Sequence, residues 1–175
     1  MAINLELKAK VNSRRELLHA VKAIARYGGR VVQTDTYFLV KSGRLKLREF
    51  QTGAGELICY RRNEGKGRRW SNYTVIPVTK PREVRSFLAS AVGVRATVRK
   101  KRDLYYYKTA RIHLDAVAGL GHFVEFEVVV GKSRKRAQKV FSKLKRMIPI
   151  RTSDFISTSY VDLVERQAGL RGKRK

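Results

Sequence analysis

Apolar and polar residues alternate over residues 111–130 in the period-two pattern of two β-strands. Gly119 and Gly121 lie between the two alternating runs and tolerate the positive φ angles of a turn, so this segment is predicted to form a β-hairpin. One face of the hairpin is apolar and must pack against another part of the protein. The opposite face carries the ionisable residues Arg111, His113, Asp115, Glu125 and Glu127.

The hairpin alone allows two interpretations of this ionic face. It could be a solvated sheet face with cross-strand ion pairs, each contributing only about a few tenths of a kcal/mol. It could instead hold a metal, because carboxylate oxygens on neighbouring strands are the ligands that Mg²⁺ and Mn²⁺ prefer. The remaining strands decide between the two interpretations.

The same alternation predicts further strands at residues 3–11, 31–40, 44–50, 57–62, 73–78 and 94–107. The ionic positions on these strands are Glu6, Lys8, Lys10, Arg44, Lys46, Arg48, Arg61, Lys100 and Arg102. Closing about eight antiparallel strands into a barrel would put the ionic face in the lumen and the apolar face outside. A sheet of this kind could also lie open; its closed form has the fold class α+β, an eight-stranded antiparallel β tunnel (barrel) with helices packed on the outside, and it predicts a charged tunnel.

Helical patterns between these strands predict the outer layer. A capping box at Ser13 opens a first helix that is predicted to end at the glycine pair 28–29, and Pro81 suits the first turn of a second. A long basic helix follows at residues 133–147, with one apolar stripe for packing. A short segment at residues 160–167 completes the fold.

Length, charge and cysteine content narrow the class of protein. A chain of 175 residues, 43% of them hydrophobic, predicts one domain, here residues 1–167 followed by a basic C-terminal tail at 168–175. The net charge of +26 indicates a polyanionic partner: nucleic acid, an acidic membrane surface or a phosphate-rich small molecule. Cys59 is the only cysteine and no long apolar run is present, which predicts a cytoplasmic protein without disulfides, a thiolate zinc site or a membrane anchor.

The ionic lumen predicts a particular chemistry. Its cations would bind a polyphosphate through charge-assisted hydrogen bonds, and its carboxylates would hold a divalent metal against the same oxygens. Metal-assisted phosphoryl chemistry requires both kinds of group in one cavity.

A family resemblance rests on six segments: NLELK at 4–8, DTYF at 35–38, GRLKLRE at 43–49, VRKKR at 98–102, RIHLD at 111–115 and FVEFE at 123–127. Together, and in this order, they resemble the CYTH superfamily, over roughly residues 3–165. These are the triphosphate tunnel metalloenzymes, which include class IV adenylate cyclases and thiamine triphosphatases. The resemblance implies a tunnel that holds a triphosphate on inward Lys and Arg residues and Mg²⁺ or Mn²⁺ on inward Glu and Asp residues.

By position, the resemblance implies phosphate ligands at Lys8, Lys46, Arg48, Arg61, Lys100, Arg102 and Arg111, and we add Lys10 from the same ionic strand face to this substrate-binding set. Among them Lys8, Arg48 and Arg102 are the expected catalytic residues. The implied metal ligands are Glu6, Asp115, Glu125 and Glu127. The first strand departs from the family signature ExExK, because Asn4 stands where the first Glu belongs. An amide oxygen can ligate a metal, but it brings no negative charge and cannot act as a base.

Two classes of function follow. The first, which we favour, is a metal-dependent enzyme that binds a triphosphate-bearing small molecule and either hydrolyses it or cyclises ATP to cyclic AMP. The second is a catalytically weak or inactive protein of this fold that binds RNA or the ribosome through its basic exterior. Its binding residues would be Arg68, Arg69, Lys132, Arg134, Lys135, Arg136, Lys139 and Lys143. A membrane surface ranks third, because the basic helix lacks an aromatic wedge.

Overall fold

Eight antiparallel strands close into a barrel in the computed structural model, which describes residues 2–62, 69–131 and 133–172. The strands are β1 (Ala2–Lys10), β2 (Arg26–Phe38), β3 (Arg44–Phe50), β4 (Gly55–Arg62), β5 (Arg69–Val78), β6 (Val94–Tyr107), β7 (Ala110–Val117) and β8 (Gly121–Val129). Their order around the barrel is β1-β5-β4-β3-β2-β6-β7-β8, and β1 completes the circle by pairing with both β5 and β8. The predicted α+β fold with an eight-stranded antiparallel tunnel is confirmed.

Over the residues that the structure describes, four α-helices accompany the barrel: α1 (Arg14–Ile24), α2 (Pro81–Val92), α3 (Arg134–Met147) and α4 (Tyr160–Gly172), with a 3-10 turn at Thr152–Asp154. Two of them begin with a serine cap, because the hydroxyl oxygens of Ser13 and Ser133 accept hydrogen bonds from backbone N–H groups of the first helical turn. Such caps satisfy donors that a helix start leaves unpaired. Within the described residues, no helix has the length and apolar composition that crossing a lipid bilayer demands.

The apolar faces of β1, β7 and β8 pack against α1 and α3 on the outside of the barrel. Leu7, Ile112 and Phe126 on these strands are buried, and they share one hydrophobic cluster with Leu17 of α1 and Phe141 of α3. Each fully buried side chain of this size contributes about 1.5–3 kcal/mol. Because apolar residues alternate with ionic ones, burying this face fixes which side chains point into the lumen.

The first turn of α4 limits the interior of the barrel on one side. Tyr160 and Val161 are buried in a second hydrophobic cluster with Tyr37, Val98 and Phe123. The ring of Tyr160 meets that of Phe123 edge-on, with 5.0 Å between the ring centroids. The lumen is therefore partly filled by a helix from the C-terminal end of the chain.

α1 ends at Ile24, before the glycine pair at which the sequence predicts its end. Both glycines instead lie in β2, at a bulge in its pairing with β6 between Tyr27 and Gly29. A Cβ atom on Gly28 would lie 2.4 Å from the ring of Tyr106, and Gly29 has a φ of +117°, so both positions favour glycine. The pairing of β2 with β6, and not the end of α1, therefore explains these two glycines.

The other element boundaries differ from prediction by a few residues at strand starts and at the C-terminus. β2 begins at Arg26 instead of residue 31, and β5 begins at Arg69 instead of residue 73. α4 continues to Gly172, past residue 167, so the predicted tail is helical over 168–172. Residues 173–175 lie outside the described residues.

Candidate active site in the barrel interior

A cavity of about 230 Å³ lies inside the barrel, and every strand contributes a side chain to its wall. Successive side chains of a strand project to opposite faces, so alternate residues point inward. The charged residues of the wall are Glu6, Lys8, Lys46, Arg48, Glu56, Lys100, Arg102, Arg111, Glu125 and Glu127.

Asp35 on β2 is the centre of a first cluster of charges. It is fully buried, and its carboxylate lies 2.8 Å from Lys46 Nζ, 2.9 Å from Arg48 Nε and 3.5 Å from Lys100 Nζ. Burial alone would raise the pKa of Asp35, but the three cations lower it well below its usual range. Asp35 is therefore ionised, and it holds three cations of the cavity wall in place.

Lys46 is a cation that can lose its charge near neutral pH. Burial and the neighbouring charge of Arg48 lower the pKa of Lys46 to about 7, although Asp35 opposes the shift. The Lys46 ammonium also lies 5.5 Å from the ring centroid of Tyr37 and 5.9 Å from that of Tyr60. At such distances an aromatic face attracts a cation.

Arg102 on β6 organises a second cluster. Its guanidinium donates to both oxygens of Asp115, at 2.7 and 2.6 Å, and to an oxygen of Glu125 at 2.5 Å. The Tyr160 hydroxyl donates to Asp115 at 2.9 Å. Burial disfavours the charged guanidinium, but Asp115 raises the pKa of Arg102 well above its usual value. Asp115, predicted as a metal ligand, thus lies beneath the cavity wall with both oxygens bound to Arg102.

Lys8 on β1 lies between Glu125 and Tyr160. Its Nζ is 3.0 Å from the Glu125 carboxylate and 3.6 Å from the centroid of the Tyr160 ring. Burial would raise the pKa of Glu125, whereas Lys8 and Arg102 lower it well below its usual range. Glu125 is therefore ionised and held by two cations that also line the cavity.

His113, Glu125 and Glu127 form a group that could hold a metal ion, because one ligand atom from each lies within 4.8 Å of the others. His113 Nδ1 is buried and has no hydrogen-bond partner in the described part of the chain. Burial and the charge of Arg102 lower the pKa of His113, so the ring is neutral and able to ligate at neutral pH. Burial would raise the pKa of Glu127, but His113 and Arg111 lower it, so this carboxylate is ionised too.

Asn4 and Glu6 on β1 offer two further oxygen donors at the cavity wall. Both line the cavity, and the strand register sets Glu6 directly opposite Glu127. Asn4 Oδ1 is buried without a hydrogen-bond partner among the described residues, so an acceptor remains available to a ligand. Carboxylate and amide oxygens suit a hard divalent cation such as Mg²⁺ or Mn²⁺.

Positive and negative side chains balance at this site. Counted over the described residues with Lys46 protonated, six cations meet six carboxylates: Lys8, Lys46, Arg48, Lys100, Arg102 and Arg111 with Glu6, Asp35, Glu56, Asp115, Glu125 and Glu127. Each of these cations has a carboxylate within 4.0 Å. An anion that enters the cavity must therefore compete with these carboxylates or bring cations of its own.

Two cations that the sequence assigns to the tunnel lie elsewhere. Lys10, at the end of β1, is exposed and lines a separate depression on the surface. Arg61 is exposed because its neighbours Ile58 and Tyr60 place the inward face of β4 on the even-numbered residues. Neither residue contributes to the cavity wall.

The residues proposed for a nucleic-acid site divide into two groups. Arg68 and Lys132 lie outside the described residues, as does the side chain of Arg69. The others are exposed on α3: Arg134, Lys135, Arg136, Lys139 and Lys143.

Sequence reasoning missed Asp35, Glu56 and Tyr160 as parts of the site. A signal for Asp35 exists, because Gln33, Asp35 and Tyr37 alternate with the outward residues of β2 and face the cations of β3. No comparable local signal exists for Tyr160, which reaches the site from a helix far away in sequence. Long-range packing alone brings it to the cavity.

Similar folds occur among solved structures. The PH1012 protein of Pyrococcus horikoshii OT3 has a TM-score of 0.80 and 21% identity, over 91% of this chain and 98% of its own. A Vibrio parahaemolyticus protein described as a candidate adenylate cyclase has a TM-score of 0.73 and 20% identity, over 93% of this chain and 98% of its own. The S. pombe Pct1 RNA triphosphatase, solved with the Spt5 CTD, has a TM-score of 0.53 and 12% identity over 86% of each chain. Similarity at these identities shows a shared fold.

Comparison of the sequence itself identifies the family. No curated protein sequence matches this chain. A family model described as the CYTH domain matches residues 2–160, which is most of the chain. The protein therefore belongs to the CYTH family.

Proposed function

We propose that this protein is a divalent-metal-dependent triphosphatase, which hydrolyses the terminal phosphate of a triphosphate bound inside the barrel. One observation carries the proposal: six cations line a single cavity, together with the glutamates of a candidate metal group. Cations alone would suit any polyanion. Cations and metal-binding carboxylates together suit phosphoryl transfer.

The size of the cavity favours hydrolysis over cyclisation. Its volume of about 230 Å³ is smaller than the roughly 300–1,000 Å³ of pockets that enclose drug-sized ligands. A phosphate chain suits such a space, and the organic group of the substrate would remain at the opening. Cyclisation of ATP requires the ribose hydroxyl to be held against the α-phosphate, so it ranks second. Both reactions are candidates for this fold. The S. pombe protein is described as an RNA triphosphatase, and the V. parahaemolyticus protein is described as a candidate adenylate cyclase.

Lys8, Arg48 and Arg102 are the proposed catalytic cations. They would bind the phosphate oxygens and stabilise the charge that develops as the terminal phosphoryl group is transferred. All three line the cavity, and each is already fixed by a carboxylate partner. Because these side chains are ordered before the substrate enters, little conformational entropy is lost when they bind it.

Glu6, Glu125, Glu127 and His113 are the proposed holders of Mg²⁺ or Mn²⁺. Such an ion supplies Lewis-acid stabilisation of phosphate charge and activates water for attack. The charge balance of the site supports a metal requirement, because a triphosphate adds several negative charges to a site whose six cations and six carboxylates already cancel. The carboxylates would then bind the metal in place of a cationic side chain. That side chain would bind the phosphates instead.

A cytoplasmic location is part of the proposal. Cys59 is exposed and free, which accords with a reducing compartment.

Phosphate release from tripolyphosphate, ATP and thiamine triphosphate, each with Mg²⁺ or Mn²⁺, tests the proposed activity. We expect turnover that EDTA abolishes and that the double substitution Glu125→Gln and Glu127→Gln lowers by at least about 100-fold, as loss of transition-state stabilisation does elsewhere. The control Glu83→Gln, at a side chain 69% exposed on α2, should leave the rate unchanged.

Equal turnover by the double variant and the wild type would refute the assignment of these glutamates. If the double variant does not fold, Glu127→Gln alone serves, because the Arg111 side chain that it leaves unpaired is 36% exposed. Cyclic AMP as the product from ATP would replace hydrolysis by cyclisation as the reaction.

Asn4→Glu provides a separate test of the metal site. The substitution restores the ExExK signature and adds a carboxylate beside the donor set, so Mn²⁺ should bind more tightly in a calorimetric titration. The metal-free variant should be less stable than wild type, because the added charge is buried at a residue only 2% exposed. Unchanged Mn²⁺ affinity would exclude residue 4 from the metal site.

A further inference from the structure

The barrel interior does not account for the net charge of the protein. The chain carries 40 Lys and Arg residues against 14 Asp and Glu residues, a surplus of +26. Cations and carboxylates cancel among the described residues at the cavity, where every cation of the wall has a carboxylate within 4.0 Å. The surplus therefore belongs to other parts of the protein, and a single triphosphate in the cavity does not explain it.

α3 carries a large part of this surplus. Its 14 residues include no Asp or Glu. Its exposed cations include Lys135, Arg136, Lys139, Lys143, Lys145 and Arg146. In the described part of the chain, no carboxylate forms an ion pair with Lys135, Lys139 or Lys143. These three follow one another at i, i+4 spacing, so they form a row along the helix.

The face of α3 that solvent contacts is polar along its length. Ala137, Phe141 and Leu144 are buried against the barrel. No large apolar side chain of α3 is exposed, so the helix has no wedge to insert into a lipid bilayer. It also offers no exposed aromatic ring on which an unpaired base could stack. With lipid insertion and base stacking excluded, we expect a partner that the helix contacts through a phosphate backbone.

The basic face continues beyond the C-terminal end of α3. Lys145 and Arg146 line a surface depression of about 450 Å³ together with Lys10 and Arg151. Two carboxylates, Glu16 and Asp154, also line this depression, and Arg151 contacts Asp154 at 3.3 Å. Cations still outnumber carboxylates there. Lys10, absent from the cavity wall, thus belongs to a basic surface outside the barrel.

We propose that α3 and the adjoining depression form a binding surface for double-stranded nucleic acid, which the protein contacts through phosphates without reading sequence. A helix of 14 residues is about 21 Å long. Phosphates follow one another at about 3.4 Å of duplex axis per strand, so α3 spans about six of them. Rigid, closely spaced charge of this kind suits the regular backbone of a duplex better than a single strand, whose binding depends on stacking. The surface lies on the opposite side of the barrel wall from the cavity, so duplex binding is a second activity.

Fluorescence anisotropy with 20-base-pair RNA and DNA duplexes tests this proposal. The duplexes carry 5′-hydroxyl ends, so that no terminal triphosphate can enter the cavity. We expect binding by the wild type whose log affinity falls with log salt with a slope of about −3 to −5, since each phosphate contact contributes about 0.9. The triple substitution K135E, K139E and K143E should flatten this slope by about 2 to 3 and lower affinity at least about tenfold at 50 mM salt.

A matched control distinguishes an effect of the α3 surface from an effect of net charge alone. K41E, K80E and R82E make the same change in net charge at exposed residues around α2. α2 contacts β2 and β3, across the barrel from β1 and β8, which contact α3. The control variant should keep most of the duplex affinity. Both triple variants should give the wild-type circular dichroism spectrum, which verifies that they are folded without relying on the proposed hydrolysis.

Three results would overturn the proposal. The first is duplex binding that is absent, or independent of salt, in the wild type. The second is an equal loss of affinity in the two triple variants, which would indicate a response to net charge alone. The third is a preference for single strands, or for phosphatidylserine vesicles, over both duplexes.

Discussion

Replacing Asp35 by Asn would remove the charge that holds three cations of the cavity wall. The residue is fully buried, and its carboxylate contacts Lys46, Arg48 and Lys100 within 3.5 Å. Asn has a similar shape and can still accept a hydrogen bond, so the substitution changes charge more than packing. The variant therefore measures what Asp35 contributes as a counterion.

The expected loss of stability is large. Removing one partner of a buried ion pair costs about 3–5 kcal/mol, because the remaining charge is left uncompensated. For a domain of this size, 1 kcal/mol corresponds to about 2–4 °C in Tm, so the variant should melt about 6–20 °C lower. Glu83→Gln is the matched control, since its partner Lys80 is 71% exposed and such surface pairs contribute less than about 1 kcal/mol.

The destabilisation by Asp35→Asn should depend on pH through Lys46. The pKa of Lys46 is about 7 in the wild type, and it should fall further once Asp35 no longer raises it. Between pH 6 and 8 the unfolded variant then binds one proton more than the folded variant at this site, so its stability rises with pH. In the wild type this rise begins only near pH 7. The stability difference should therefore be about 1 kcal/mol larger at pH 6 than at pH 8.

Tripolyphosphate should stabilise the Asp35→Asn variant more than the wild type, because its oxygens replace the missing charge. A tenfold gain in affinity would add about 1.4 kcal/mol at saturation. Differential scanning fluorimetry at pH 6 and 8, with and without tripolyphosphate, measures each of these effects. A Tm within about 2 °C of wild type at both pH values would refute the view that Asp35 compensates three buried cations.

Two further substitutions examine neighbouring contacts. Lys46→Met should reduce the rise in wild-type stability between pH 7 and 9, measured by urea unfolding, because the pKa of Lys46 is about 7 when folded and near 10.4 when unfolded. Burial lowers the pKa of Lys100 as well, so that lysine contributes a remaining rise of the same sign. A variant that kept the full rise would assign it to another group. Tyr160→Phe removes the 2.9 Å hydrogen bond to Asp115 but keeps the ring beneath Lys8, and urea unfolding should show a loss of about 1–3 kcal/mol. Unchanged stability would mean that water replaces the hydroxyl.

Much of this fold can be predicted from the sequence, because apolar and polar residues alternate in a strand that is buried on one side. The alternation over residues 111–130 predicts the hairpin of β7 and β8, and the ionic face it predicts does point into the barrel at Arg111, Glu125 and Glu127. Burial of the opposite face fixes which side chains point inward, since a shift of the strand register by one residue would exchange the two faces.

Alternation does not show which residues point into the barrel where a strand lacks one clearly apolar face. In β4 the inward residues include Ile58 and Tyr60, while Cys59 and Arg61 are exposed, so charge alone suggests the wrong face. Asp35 shows the converse problem. It lies in a largely apolar strand, where alternation with the outward residues assigns it to the inner face, but only strand pairing with β3 and β6 shows which cations lie beside it.

The carboxylates of the site differ in whether they face the cavity, and this difference explains how a balanced site can bind an anion. Asp35 and Asp115 are at most 1% exposed and do not line the cavity, so they remain fixed beneath the cations. Glu125 and Glu127 line the cavity, with side chains 18% and 22% exposed. If these glutamates held a metal, their cationic partners would be free to bind phosphate, and the wall would be positively charged toward it. On the proposed function, metal and triphosphate should therefore each raise the affinity for the other, and by the same factor.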